Sequence, residues 1–334
     1  MEGDELRDVL AHWDLGDISS IQELRRGSSR APKVVIESTS GPFLLKRLAH
    51  ARTDPDRIAF QHRLHLALQS AGFPVPELVG LHQCAGTLLE LDGFSYELCR
   101  YIEGRRFDGQ LQDSRSSGSR LAGFHDLTLR HAVDAPPGAG FHGRSDVTHA
   151  ASELHRTRQE LSEVECAALS GLLDEACRGA AECWDMLPHT VVHGDWHPGN
   201  LLFGAWGVNA VLDLETVRVE PRVAELANAL LQFSLPLRSG PRSTVRRTDA
   251  PSMDLQQAML SGYGLVAREQ LQPAEIDVLP HLMVEALAVE AVIALHRKGR
   301  FGGWSGPEFL EFVCRRGAWI ADHADGIRML VSSA

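Results

Sequence analysis

The amino-acid sequence predicts an α+β fold in which a small antiparallel sheet with one helix precedes a larger, mainly helical region. Short extended segments broken by turns fill the first hundred residues, and after Gly104 long stretches place apolar residues at helical spacing. The run Tyr101-Ile102-Glu103-Gly104 marks the change, so the expected domains are residues 1–101 and 102–334.

Ile21–Leu24, Lys33–Glu37 and Phe43–Leu48, separated by turn residues that include Gly41-Pro42, read as an antiparallel meander. Asp54-Pro55 opens a helix that runs to Ser70, with an Asp cap and a Pro at the first position. Ala71-Gly72 ends it, and Pro74 and Pro76 forbid its continuation. Gly86–Leu91 and Phe94–Tyr101 flank Asp92-Gly93, a dipeptide suited to a tight hairpin. Further on, Gln112–Leu129, Val147–Cys183, Ala224–Phe233 and Ala274–His296 read as helices, and the polar stretches Asp113–Ser119 and Ser239–Ser252 as surface loops.

Of 334 residues 44% are hydrophobic, enough for a buried core. The 33 basic and 44 acidic residues give a net charge of -11, which disfavours a nucleic-acid partner. The charged start lacks a secretory pattern, and no window reaches the roughly 18 to 20 apolar residues of a membrane span. A cytoplasmic protein with no membrane partner is expected. Cys84, Cys99, Cys166, Cys177, Cys183 and Cys314 form no C-x-x-C pair and read as reduced thiols.

The chemistry concentrates between Thr190 and Phe203, where an apolar approach, the polar turn His193-Gly194-Asp195-Trp196-His197-Pro198-Gly199-Asn200 and an apolar exit follow one another. Val211-Leu212-Asp213-Leu214-Glu215 then ends a second apolar run with carboxylates, Asp213 standing 13 residues after Asn200. Phosphoryl transfer needs a carboxylate to orient the attacking hydroxyl and oxygen ligands for magnesium. An Asn amide and an Asp carboxylate suit that ion, which makes Asn200 and Asp213 the metal pair and leaves Asp195 as base. Glu215 reads either as a second magnesium contact or as a polar residue after the strand.

His193-x-Asp195-x-x-x-x-Asn200 and Asp213-Leu214-Glu215 resemble the catalytic loop and metal-binding segment of the aminoglycoside phosphotransferases, choline kinases and homoserine kinases. The resemblance implies a protein-kinase-like two-lobed fold, with a small antiparallel-sheet N-lobe, a larger mainly helical C-lobe and ATP between them. It also implies an ATP- and Mg2+-dependent transfer to a hydroxyl of a small-molecule acceptor. By that likeness Asp195 is the base and His193 supports the catalytic loop. Lys46 in Phe43–Arg47 contacts ATP phosphates, and backbone groups near Arg100 and Ile102 meet adenine. Phe73-Pro74-Val75-Pro76, Leu121-Ala122-Gly123-Phe124-His125 and Glu225-Leu226-Ala227 resemble further family segments, in the family's order.

Three departures accompany the likeness. Gln61 stands where the family usually has a glutamate paired with the lysine, so a Lys46–Gln61 hydrogen bond is expected in place of an ion pair. Glu225 replaces an aspartate. The loop Arg26–Pro32 has one glycine, leaving Ser28, Ser29 and backbone amides to cover phosphates. Two alternatives stand beside the kinase: a catalytically weak nucleotide-binding protein of the same fold, which Gln61 motivates, and a metal-dependent hydrolase using His193, Asp195 and His197. The acceptor stays open between cationic compounds, with Trp184, Trp196 and Trp304 as candidate aromatic walls, and carboxylates met by Arg218, Arg222 or the Arg242–Arg247 loop.

Overall fold

The computed structural model describes residues 3–24, 31–48, 55–82, 85–135, 183–234, 251–298, 300–301 and 304–333, with positions 167, 170, 171, 174, 179 and 180. The chain forms two compact units: Met1–Gly104 with Ala210–Glu215, and Arg105–Asn209 with Thr216–Ala334. Sequence patterning does not announce the return of Ala210–Glu215 to the first unit.

The first unit holds α1 (Gly3–Leu10), β1 (Ile18–Glu23), β2 (Lys33–Ser38), β3 (Gly41–Arg47), α2 (Pro55–Ser70), β4 (Leu88–Leu91) and β5 (Phe94–Arg100). The strands make one antiparallel sheet in the order β1-β2-β3-β5-β4. Successive residues of a strand face opposite sides, and this alternation divides the labour. Ile36, Phe43, Leu45, Tyr96 and Leu98 cluster with Val9, Leu10, Trp13 and Leu15 on one side. The opposite side carries Lys46, with Lys33 and Glu97 directly across from it on β2 and β5.

The meander, the helix over residues 55–70 and the hairpin stand where the sequence places them. Asp92 and Gly93 both take positive φ, 51° and 78°, as a two-residue turn of the primed kind demands. The helix α1 is unanticipated. Its charged sequence hides a fastening role, since Glu5 Oε1 accepts from Arg47 Nη1 at 2.8 Å and from Tyr96 Oη at 2.9 Å.

The second unit contains α3 (Leu111–Thr128), β6 (His189–Val192), β7 (Leu201–Gly204), most of β8 (Gly207–Val211), β9 (Arg218–Pro221), α4 (Arg222–Phe233), α5 (Met253–Val266), α6 (Pro273–Lys298), α7 (Gly306–Asp322) and α8 (Ala324–Ser332). The expected surface loop at Asp113–Ser119 is instead the buried first half of α3. Its polar groups are consumed by partners: Asp113 receives two hydrogen bonds from Arg105 at 2.5 and 2.7 Å, Ser114 Oγ donates to Leu255 O at 2.7 Å, and Ser117 Oγ accepts from Trp196 Nε1 at 3.0 Å. Small side chains here let two helix backbones touch. A Cβ at Gly118 would stand 2.0 Å from Met259 O, and one at Gly262 1.9 Å from Arg115 O.

Helix α4 is buried around its whole circumference, which explains its apolar sequence, and Ser252 caps α5 by accepting from Leu255 N. Most of the helix expected over Val147–Cys183, and the expected loop up to residue 250, lie outside the described residues. Among the described residues no helix is long and apolar enough to cross a membrane, and the described cysteines Cys99, Cys183 and Cys314 are free thiols.

Candidate active site

Strand β6 delivers the chain to the loop His193–Asn200. It pairs antiparallel with β9, Val192 opposite Arg218. The chain then turns at Gly194 with φ of 81°, where a Cβ would meet Arg218 Nη1 at 2.2 Å and Thr216 O at 2.3 Å, so glycine is required. Arg218 Nη1 donates to Gly194 O and Thr216 O, and Thr216 Oγ1 donates to His193 O at 2.9 Å.

A buried carboxylate holds the start of the loop. Glu225 on α4 accepts from His193 N at 2.9 Å through Oε2 and from Gly194 N at 2.6 Å through Oε1. His125 Nε2 lies 2.9 Å from Glu225 Oε2, and its Nδ1 lies 3.0 Å from Tyr263 Oη. Burial favours the neutral acid, but the hydrogen bond and charge of His125 and the His193 contacts hold the Glu225 carboxyl below its usual range. The longer side chain thus reaches two backbone amides at once. His193 itself is fully buried, lies against the Phe124 and Trp196 rings, and accepts from Asp195 N at 3.3 Å through Nδ1.

Asp195 follows as a part-exposed carboxylate. Asn200 Nδ2 donates to its backbone O at 3.0 Å and to Oδ2 at 2.9 Å, and His197 Nε2 lies 3.4 Å from the same Oδ2. Both side-chain contacts fall on Oδ2, so Oδ1 keeps its lone pairs for another donor. His197 Nδ1 accepts from Gly199 N at 2.9 Å, which places the ring proton on Nε2, towards Asp195. Burial works against the charge on Asp195, yet His197, His193 and Asn200 hold its carboxyl below the ordinary value and keep it ionised at neutral pH. Because Asn200 spends its amide nitrogen on Asp195, its amide oxygen is the atom left to meet a cation.

The first unit gathers the remaining charges. Asp213 takes a left-handed backbone, φ 65°, just before the short turn Leu214–Thr216. Asp213 Oδ1 lies 3.3 Å from Lys46 Nζ, Glu215 Oε1 is in contact with the same nitrogen, and Glu97 Oε1 lies 3.9 Å away. Lys46 is buried, which disfavours its charge, but Asp213, Glu215 and Glu97 together push its pKa well above the usual lysine value. Asp213 and Glu215 offer the hard oxygen donors that magnesium prefers, and such an ion needs only one or two protein carboxylates beside water and phosphate oxygens. The residues present fit that ion.

The structure amends several expectations. Gln61 does not bond Lys46: its Nε2 donates to Glu215 O at 2.7 Å. Asp213, Glu215 and Glu97 lie within 4 Å of the lysine ammonium instead. The Arg100 amide donates to Glu77 O at 2.8 Å, and Ile102 is half-buried beyond the end of β5. Ser28 and Ser29 lie outside the described residues.

Arg218 and Arg222 are neither solvated nor open to a substrate. Arg218 pairs with Glu220 at 2.9 Å, and Arg222 makes two bonds of 2.9 Å to Glu275. Trp196 is fully buried and cannot wall an acceptor pocket. Among the described residues no group of three His, Cys, Asp or Glu side chains is arranged to hold a metal ion, so the hydrolase reading lacks its cluster. Two carboxylates escape sequence reasoning, Glu97 and Glu290. Burial, with the neighbouring Asp195 charge and against the pull of His197, pushes Glu290 on α6 up to about 7.

Residues 20–260 match the phosphotransferase enzyme family. A homoserine kinase of Allorhizobium ampelinum is 24% identical over 282 residues, spanning 83% of this chain and 80% of the relative. Among solved structures, an amicoumacin kinase in complex with AMP-PNP and Ca2+ is similar with a TM-score of 0.69 at 13% identity, over 98% of this chain and 94% of that one. Choline kinase from Cryptosporidium parvum gives a TM-score of 0.65 at 12% identity, over 94% and 92% of the two chains. These likenesses carry the fold, a protein-kinase-like two-lobed α+β architecture. The family match covers most of the chain, and with it the chain belongs to the phosphotransferase enzyme family as a small-molecule kinase.

Proposed function

We propose that this kinase works in the cytoplasm and transfers the terminal phosphoryl group of ATP, with magnesium, to a hydroxyl of a small molecule. The observation that supports this best is Asp195, a carboxylate kept ionised on a braced loop, with one oxygen held by Asn200 and His197 and the other open to a donor. That oxygen accepts the hydroxyl proton of the acceptor as the acceptor oxygen attacks phosphorus and ADP leaves. When bound, magnesium would neutralise phosphate charge. Asp213 and Asn200 would hold it through oxygen, with Glu215 as a further carboxylate, and Lys46 would steady the phosphates. A solved relative in complex with AMP-PNP and Ca2+, and a spectinomycin phosphotransferase in complex with ADP, support the nucleotide.

For the acceptor, Arg218 and Arg222, expected from the sequence to meet a carboxylate, are committed to Glu220 and Glu275. Relatives include homoserine kinases and an aminopropanol kinase. The test is ATP consumption by the purified protein against hydroxy amino acids, amino alcohols, aminoglycosides and sugars, with and without Mg2+. Magnesium-dependent turnover with one of these classes is expected. Equal ATP consumption with magnesium chelated would contradict the metal role.

A further inference from the structure

A buried ammonium that must bind phosphate needs a carboxylate of its own, because desolvation otherwise strips its charge. Lys46 has three carboxylates within 4 Å, but they are not equivalent. In the reading above, Asp213 and Glu215 belong to magnesium. Position 61 of α2 supplies no carboxylate, and its amide is engaged by Glu215 O at 2.7 Å. The remaining group is Glu97, directly opposite Lys46 in the β3–β5 register and on the same side of the sheet.

Glu97 is itself fixed. Its Oε2 lies 3.3 Å from His62 Nε2, and the other ring nitrogen of His62 lies 3.0 Å from Thr87 Oγ1. One helix residue after Gln61 thus braces a strand carboxylate beside the lysine. Burial argues against charge on Glu97, but His62 and Lys46 hold its carboxyl below the usual range.

We propose that Glu97, braced by His62, is the positioning residue for Lys46, a task taken by the sheet because α2 offers only Gln61. The ammonium here touches Glu215 and lies 3.3 Å from Asp213, and Glu97, 3.9 Å away on the sheet side, is the carboxylate that stays with it when magnesium takes those two. Without it, the ammonium has no third carboxylate within 4 Å to move to and competes with magnesium for Asp213 and Glu215. The proposal rests on the ATP and magnesium reading of the site.

The test is a double-mutant cycle on the full-length protein, with Mg-ATP affinity measured by titration calorimetry without acceptor and thermal melts run in parallel. Glu97→Gln should weaken Mg-ATP binding about ten-fold in the wild-type background and change it by less than about two-fold when Lys46 is already Met. Equal weakening in both backgrounds, or no weakening in the first, overturns the proposal. Should Glu97→Gln fail to fold, Glu97→Asp keeps the charge on a shorter arm and must show the same dependence on Lys46. Absence of Mg-ATP binding by the wild type would instead defeat the functional reading, a result distinguishable from either outcome of the cycle.

Discussion

At the scale of single residues, the loop His193–Asn200 is held by a carboxylate outside the conspicuous motif, Glu225. Glu225 accepts from two loop amides and from His125, so a glutamine there keeps one acceptor oxygen but turns the other into an NH2 that faces a donor. Glu225→Gln should cost about 3 kcal/mol of unfolding free energy at neutral pH, measured by urea unfolding. Its folded carboxyl lies below the ordinary value, so the stabilisation is complete above the unfolded-state pKa and is lost as pH falls through the folded one. The gap between wild type and variant should therefore narrow below about pH 4. A gap that stays constant from neutral to acid pH would show that charge is not what Glu225 contributes.

At the scale of elements, legibility followed periodicity and turn chemistry. The hairpin was readable because Asp92-Gly93 can adopt positive φ, and α2 because proline and glycine punctuate both ends. Asp113–Ser119 was misread because serines, glycine and an aspartate look solvated when their partners are distant in sequence: Trp196, Leu255 and Met259 are 79, 141 and 141 residues away from Ser117, Ser114 and Gly118. The close approach of α3 and α5 gives a direct check. Gly118→Ala forces a methyl against the Met259 carbonyl and should destabilise by about 3 kcal/mol in urea unfolding. Gly326→Ala in α8, where a Cβ meets open space, should be neutral or slightly stabilising. Similar losses at both positions would mean that backbone proximity is not the reason for glycine in α3.

At the scale of the whole molecule, the sequence motifs named Lys46, Asp195, Asn200 and Asp213, but not how the chain supports them. Lys46 and Asp213 come together within the first unit because the six residues Ala210–Glu215 return to it, a long-range event that no local pattern encodes. The role of Gln61 was misjudged for the same reason: its partner, the carbonyl of Glu215, lies 154 residues further along. A buried lysine with no helix glutamate looked like a defect until the sheet register brought Glu97 opposite it. The proposed function rests on Asp195 as proton acceptor, a carboxylate whose ionisation its neighbours favour and whose Oδ1 is left for a hydroxyl. The most direct measurement is the turnover and Mg-ATP affinity of Asp195→Asn with the acceptor found in the screen. An amide cannot accept the proton at that oxygen as a base, so kcat should fall by about a hundred-fold or more while Mg-ATP affinity stays within a few-fold. Unchanged kcat in Asp195→Asn would contradict the account.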